Sequence, residues 1–138
     1  MSIVLDSSMA LAWLFEDENS DQATSVLQQV TEIGAKVPSL WRLEVVNALQ
    51  MAVKRGCIDT AFRDASLMDL AALAIVIDSE TDHQAWRTTL HLADSCKLTL
   101  YDAAYLELAQ RLNLPLATLD QALGKAAVGI GITLSGIK

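Results

Sequence analysis

The sequence predicts an α/β fold in which a parallel sheet of five strands is covered by helices on both faces. Short aliphatic and β-branched runs alternate with helical patterns along the chain, and this alternation is typical of a parallel sheet. Hydrophobic residues make up 52% of the 138 residues, which is enough for a sizeable core. Because no repeat, linker or low-complexity segment interrupts the pattern, we expect one domain over residues 1–138.

The five predicted strands are short and rich in aliphatic residues. They cover residues 2–5, 36–38, 74–77, 116–119 and 130–134. Two of them run directly into an acidic residue, Asp6 after the first strand and Asp120 after the fourth. Ligands of a parallel α/β sheet bind outside the carboxyl ends of its strands, so these two acids indicate where a site would lie.

Capping residues and the helical spacing of apolar residues predict the segments between the strands. Asn19 or Ser20 caps a helix that Gly34 stops, Ser39 caps the helix after the second strand, and Asp59 opens the next helix. Further helices are predicted over residues 9–15, 80–94 and 102–113, and a short one just after residue 120.

Charge and cysteine content limit the possible functions. Acidic side chains outnumber basic ones by 17 to 10, for a formal net charge of −7. A nucleic-acid-binding surface is typically basic, so contact with nucleic acid needs a local explanation, which bound divalent cations would supply. The same charge suits a basic peptide partner. Cys57 and Cys96 form no CxxC pair and the first residues form no basic leader, so we expect a cytoplasmic protein without a membrane span.

Four acids, which we call the acid cluster, are predicted to meet at one edge of the sheet. Asp6 and Asp120 end strands, Glu44 lies in the early turns of one helix, and Asp102 lies in the first turn of another. Helices run back across a parallel sheet, so their first turns lie at the same edge as the carboxyl ends of the strands. If the first and fourth strands are neighbours, Asp6 and Asp120 flank the point where the strand order reverses.

Carboxylates in such a cluster have a chemical use. Crowded carboxylates raise one another's pKa, and a divalent cation removes that cost. Hard oxygen ligands suit Mg²⁺ or Mn²⁺, which keep several waters for a substrate phosphate. A metal-bound water can become a nucleophile, and two ions about 4 Å apart would clamp the attacking and leaving oxygens of a phosphodiester.

Other acidic and aromatic residues are given structural roles. A single Asp at a helix start is more often a cap than a ligand, so Asp78 is interpreted as a turn or cap acid. Glu107 is expected to be solvated. Trp13, Trp41 and Trp86 are expected in the core rather than as stacking platforms for nucleotides.

Four segments carry a resemblance to a known family. They are IVLDSS at residues 3–8, PSLWRLEVVNAL at 38–49, LTLYDAAY at 98–105 and LPLATLD at 114–120. In this order and spacing the chain resembles the PIN-domain family, and more closely its VapC-type toxins, which are the ribonucleases of toxin–antitoxin pairs. One motif alone would be weak, whereas four together are specific.

The resemblance implies a three-layer sandwich with strand order 3-2-1-4-5. It implies that the protein uses Mg²⁺ or Mn²⁺ to cleave RNA phosphodiester bonds. The acid cluster would supply the metal ligands and the groups that orient water. Ser7, Asn47 and Thr118 are polar residues expected to support these acids.

The resemblance also implies partners. It implies a homodimer and a small antitoxin protein that restrains the ribonuclease. Because Arg forms bidentate pairs with carboxylates, we expect the antitoxin to carry basic residues that reach the acid cluster. An apolar face of its helix would lie in a groove between the first helices, to which Met9, Trp13 and Val46 would contribute if exposed.

Two other classes of protein fit part of the pattern. The first is another Asp-based phosphotransfer enzyme, but the haloacid-dehalogenase type wants a second Asp two residues after the first, where Ser8 stands. The second is a non-catalytic PIN-like module that binds RNA or protein, whose expected sign is a lost acid. All four acids are present, so the sequence favours a metal-dependent ribonuclease.

Overall fold

Four short parallel strands form the sheet in this computed structural model, which describes residues 1–136. They are β1 (Ile3–Leu5), β2 (Ala35–Val37), β3 (Ile75–Ile77) and β4 (Leu116–Ala117). The strand order is β3-β2-β1-β4, as implied for the first four strands. β1 pairs with both β2 and β4, and its three residues are at most 1% exposed. The site edge of the sheet is therefore built around β1.

Eight helices in the described part of the chain cover the two faces of this sheet. In chain order they are α1 (Ser7–Leu14), α2 (Asp21–Ile33), α3 (Trp41–Lys54), α4 (Thr60–Ala71), α5 (Thr81–Gln84), α6 (Thr88–Cys96), α7 (Leu100–Leu112) and α8 (Gln121–Gly129). α1 to α4 pack as one group, whereas α5, α6 and α8 pack around α7, which contacts β1. None of these helices is long and apolar enough to cross a membrane.

Several predicted helix boundaries are confirmed. The Ser20 side chain accepts a hydrogen bond of 3.1 Å from the Ala23 N–H at the start of α2. The Asp59 side chain accepts one of 2.8 Å from the Phe62 N–H at the start of α4. Gly34 ends α2 with a φ of 74°, a backbone conformation that favours glycine. Local capping chemistry thus sets these three boundaries.

The expected fifth strand over residues 130–134 is wrong. α8 continues to residue 129 and a turn follows in which Gly131 has a φ of 86°. Leu134 then forms only an isolated parallel bridge to Leu116. The turn occupies the first residues of the expected strand, so this segment pairs with the edge strand β4 at a single residue.

The single helix expected over residues 80–94 is also wrong. It is divided into α5 and α6, and between them Arg87 has backbone angles of −117° and −110°, which no helix contains. Trp86 lies in this break and is 89% exposed, so its expected place in the core is wrong. Trp41 is buried, whereas Trp13 is half-buried and donates its Nε1–H to the Ala23 carbonyl at 2.7 Å.

Two further expectations fail because helix faces point differently than the pattern indicates. Glu107, expected in solvent, is only 3% exposed and pairs with Arg111 one turn later at 2.7 Å. The positive charge of Arg111 makes burial of this carboxylate tolerable. Met9, expected to line a partner groove, is completely buried.

Gly34 offers a direct test of the turn between α2 and β2. A Cβ at this position would lie 2.8 Å from the Ala74 carbonyl oxygen, and its φ of 74° with ψ near −179° is almost restricted to glycine. Gly34→Ala should lower the free energy of unfolding by about 1–3 kcal/mol. Urea unfolding measures this, with Gly129→Ala as control.

Gly129 makes a matched control because a Cβ there meets nothing within 4 Å and the residue is helical. Gly129→Ala should leave stability unchanged or raise it by up to about 1 kcal/mol. Equal midpoints for Gly34→Ala and the wild type would contradict this account of the turn.

Candidate active site

Parallel pairing of β1 with β4 brings together two chain segments that are far apart in sequence. Asp6 directly follows β1 and is 5% exposed, and its backbone N–H donates to the Ala117 carbonyl at 3.0 Å. Thr118 follows β4, and its hydroxyl donates to Asp6 Oδ2 at 2.6 Å. The Ser8 hydroxyl donates to the same oxygen at 2.7 Å. Two hydroxyls therefore hold Oδ2 of this buried carboxylate.

Asp120 continues the same arrangement from β4 into α8. Its backbone N–H donates to Thr118 Oγ1 at 3.0 Å, and its Oδ1 caps α8 by accepting from the Leu123 N–H at 2.9 Å. The residue is exposed and lines an open cleft together with Ser8 and Glu18. One carboxylate oxygen of Asp120 thus caps α8, and the residue is exposed to solvent beside Asp6.

Glu44 and Asp102 approach the same place from two helices. Glu44 lies in the first turn of α3 and accepts a hydrogen bond from the Tyr105 hydroxyl. Tyr105 is fully buried and lies one turn after Asp102 on α7. The Asp102 N–H bonds to Thr99 Oγ1 at 3.1 Å, which caps this helix. α7 thus supplies one acid itself and holds another through Tyr105.

Burial and mutual repulsion raise the pKa of three of these acids. Burial raises the pKa of Asp6, and the hydrogen bonds from Thr118 and Ser8 offset part of that increase. Burial also raises the pKa of Glu44, with the charges of Asp6 and Asp102 adding to it against the hydrogen bond from Tyr105. Burial, followed by the charges of Asp120 and Asp6, raises the pKa of Asp102. The four carboxylates are therefore one electrostatic unit.

The donor chemistry of this unit fits a hard divalent cation. Its members are carboxylates, the ligands that Mg²⁺ and Mn²⁺ prefer, and a cation would relieve the repulsion among them. Among residues 1–136, no three His, Cys, Asp or Glu side chains come close enough to form a complete metal cage. Mg²⁺ is usually held by one or two carboxylates and keeps several waters, so an open arrangement of this kind fits that ion.

The supporting residues predicted from sequence differ in their contacts. Thr118 bonds directly to Asp6, as described above. The Ser7 side chain lowers the pKa of Glu44, an effect smaller than those of burial, of Tyr105 and of the neighbouring acids. Asn47 is exposed and, within the described part of the chain, makes no hydrogen bond to the acid cluster. The role of Asn47 stays a prediction.

Sequence reasoning missed two polar residues that contact the acids. Ser8 lies two residues after Asp6, and Tyr105 lies three residues after Asp102, which places it one helical turn away. The sequence signal that could have identified them is a hydroxyl side chain two residues, or one helical turn, after a predicted site acid. Ser8 belongs to the segment at residues 3–8 and Tyr105 to the segment at residues 98–105, and the sequence alone assigned neither of them a role at the site.

Comparisons with known proteins agree on one family. A family model described as "PIN domain" matches residues 3–129. The chain is 28% identical over 125 residues to Ribonuclease VapC3 of Pyrobaculum aerophilum, covering 91% of this chain and 94% of that one. It is 29% identical over 126 residues to Ribonuclease VapC3 of Mycobacterium tuberculosis, covering 90% and 86%.

Solved structures share the fold. A crystal structure of a Pyrobaculum aerophilum protein superposes with a TM-score of 0.70 at 21% identity, covering 94% of this chain and 87% of that one. A toxin–antitoxin complex from Klebsiella pneumoniae superposes with a TM-score of 0.66 at 19% identity, covering 99% of each chain. The architecture therefore recurs at identities where side chains have largely diverged.

The repulsion within the acid cluster predicts a pH-dependent gain in stability when one acid is neutralised. Because the pKa of Asp102 is raised in the native state above its ordinary value of 3.8, its ionised form destabilises the fold at neutral pH. Asp102→Asn should raise the free energy of unfolding at neutral pH, without metal, by about 1 kcal/mol or less after solvent screening. Urea unfolding in EDTA measures this.

The gain should shrink as the pH falls and vanish below the ordinary carboxyl pKa, where Asp102 is protonated in both the native and the unfolded state. Asp59→Asn is the control, since Asp59 is an exposed cap acid outside the acid cluster. A gain of the same size at every pH would show that repulsion is not its cause.

Proposed function

Since this chain belongs to the PIN-domain family, we propose that it is an endoribonuclease that depends on Mg²⁺ or Mn²⁺ and acts as the toxin of a toxin–antitoxin pair. The observation that carries the proposal is that the fold brings Asp6, Glu44, Asp102 and Asp120 together at the carboxyl edge of the sheet, close enough for their charges to repel one another. The ribonuclease names of its relatives support the choice of RNA as substrate.

In the proposed mechanism carboxylates of the acid cluster would hold the cation, and the surrounding hydroxyls orient the acids. When bound, the ion would activate water and neutralise the charge of the scissile phosphate. Thr118 and Ser8 hold Asp6 Oδ2, and Tyr105 holds Glu44 Oε1. Each bond restricts the rotation of its carboxylate, which leaves the other oxygen in a defined direction for a ligand. The cation also explains how a protein of net charge −7 would tolerate RNA.

Neutralising one acid of the cluster should abolish cleavage without unfolding the protein. Asp102→Asn keeps the shape of the side chain but removes a charged ligand, so RNA cleavage should fall by about two orders of magnitude or more. EDTA should abolish cleavage by the wild type. The measurement is cleavage of total cellular RNA with added Mn²⁺, with the ends of the products mapped.

A thermal shift with Mn²⁺ alone gives a control that needs no RNA. Ligands that bind the native state stabilise it by mass action, so Mn²⁺ should raise the Tm of the wild type more than that of Asp102→Asn. Undiminished cleavage in EDTA would contradict the metal mechanism. A non-catalytic module would bind Mn²⁺ or RNA and leave RNA intact.

We further propose a small antitoxin with basic residues as the partner. The acid cluster and the net charge of −7 attract basic segments, and Arg matches carboxylates with two parallel hydrogen bonds. The structural likeness to a toxin–antitoxin complex supports this kind of partner. A homodimer is proposed on family resemblance, and sedimentation of the purified protein tests it.

An apolar cleft between α3 and α4 supports a second contact for the antitoxin. The cleft encloses about 280 Å³, and its lining includes Trp41, Val45, Val46, Leu67 and Leu70. Within residues 1–136, Nε1 of Trp41 is buried without a hydrogen-bond partner. Because α3 contributes both this wall and Glu44, a peptide whose apolar side chains fill the cleft can extend a basic residue toward the acids.

Removing basic residues from the antitoxin should weaken inhibition. We expect replacement of the Arg or Lys that reaches the acid cluster to reduce inhibition about tenfold or more, because it removes a charge-assisted hydrogen bond. Co-purification with the product of the neighbouring gene, followed by single substitutions in it, measures this effect. Full inhibition after loss of every basic residue would contradict the charge-based mechanism.

A further inference from the structure

The helix that carries Glu44 begins without a local cap. Four of the helices have a side-chain N-cap, which is Ser20 for α2, Asp59 for α4, Thr99 for α7 and Asp120 for α8. α3 has Leu40 at this position, with no side-chain hydrogen bond. Ser39, expected to be its cap, instead donates its backbone N–H to Thr81 Oγ1 of α5 at 3.1 Å. The start of α3 is thus held from another part of the fold.

Thr81 is in turn held by the half-buried carboxylate of Asp78. Its hydroxyl donates to Asp78 Oδ2 at 2.9 Å, so one oxygen atom of Thr81 accepts from Ser39 and donates to Asp78. Thr81 is 8% exposed and the Asp78 side chain 10% exposed. Water therefore competes little for these bonds, and the orientation of Asp78 determines that of the hydroxyl.

Arg111 fixes Asp78 from α7. Its guanidinium makes two hydrogen bonds to Asp78, of 2.7 and 3.3 Å, and two to the buried Glu107, of 2.7 and 3.1 Å. A planar guanidinium paired with two carboxylates in this way has little freedom to rotate. Arg111 and Glu107 lie on α7, which also carries Asp102 and Tyr105.

We propose that Thr81, Asp78 and Arg111 are positioning residues that hold the first turn of α3, and with it Glu44, in place relative to Asp102 and Tyr105. None of the three touches the acid cluster. They act through the backbone N–H of Ser39, which lies two residues before the first residue of α3. The consequence for cleavage rests on the proposed function, whereas the consequence for the geometry of α3 does not.

The experiment removes the hydroxyl of Thr81 and restores it in a conservative variant. Thr81→Val should increase amide hydrogen exchange over residues 39–45 about tenfold, because the Ser39 N–H loses its acceptor. It should weaken Mn²⁺ binding about 10- to 100-fold and lower RNA cleavage by a similar factor, and Thr81→Ser should restore all three. Thr81→Ala replaces Thr81→Val if the latter does not fold.

Two comparisons separate positioning from general stabilisation. Asp59→Ala removes an exposed helix cap from α4, and should lower stability while leaving exchange over residues 39–45 and Mn²⁺ affinity unchanged. In a Glu44→Gln background, Thr81→Val should weaken Mn²⁺ binding no further, because its effect passes through Glu44.

Unchanged exchange over residues 39–45 in Thr81→Val would overturn the proposal. Equal losses of Mn²⁺ affinity in Thr81→Val and Asp59→Ala would also overturn it, as would additive losses from Thr81→Val and Glu44→Gln. Failure of the proposed function looks different, since the wild type would then leave RNA intact while the exchange of α3 still responds to Thr81.

Discussion

Parallel pairing of β1 with β4 is the contact on which the site depends. It places Asp6 beside Thr118 and Asp120, although more than a hundred residues separate them in the chain. The backbone hydrogen bond from Asp6 to Ala117 fixes the register, and the Thr118 and Ser8 hydroxyls then meet the Asp6 carboxylate. A slip of one residue would turn these side chains to the opposite face of the sheet, so the geometry of the site depends on this strand register.

Electrostatic repulsion among the acids makes this arrangement less stable. Burial and like charges raise the pKa of Asp6, Glu44 and Asp102, so the ionised native state is less stable than packing alone would make it. Hydroxyl donors offset part of this destabilisation, since Thr118 and Ser8 donate hydrogen bonds to Asp6 and Tyr105 donates one to Glu44. A divalent cation would relieve the remainder. Binding of a cation would therefore offset the same repulsion that lowers stability.

α7 connects the acids to the rest of the fold. Near its start it carries Asp102 and Tyr105, and near its end the buried Glu107 pairs with the half-buried Arg111, which also reaches Asp78. The residue directly before each of the four capped helices supplies its side-chain cap, whereas the turn before α3 is held by a hydrogen bond from the Ser39 N–H to Thr81. The position of Glu44 is therefore a tertiary property, while that of Asp120 follows from the cap it makes itself.

By itself the sequence determined the elements that local chemistry controls, and it pointed to four acids that the fold brings together. Ser20, Asp59 and Gly34 act through hydrogen bonds or backbone angles within a few residues, so their effects can be predicted from the adjacent sequence. Only the tertiary structure decided that residues 130–134 meet β4 at one bridge, that Glu107 is buried beside Arg111, and that Trp86 is exposed. It also decided that Ser39 bonds to Thr81 and that Tyr105 bonds to Glu44. Each of these contacts joins residues whose approach depends on how helices pack on the sheet, which is a property of the whole chain rather than of a local pattern.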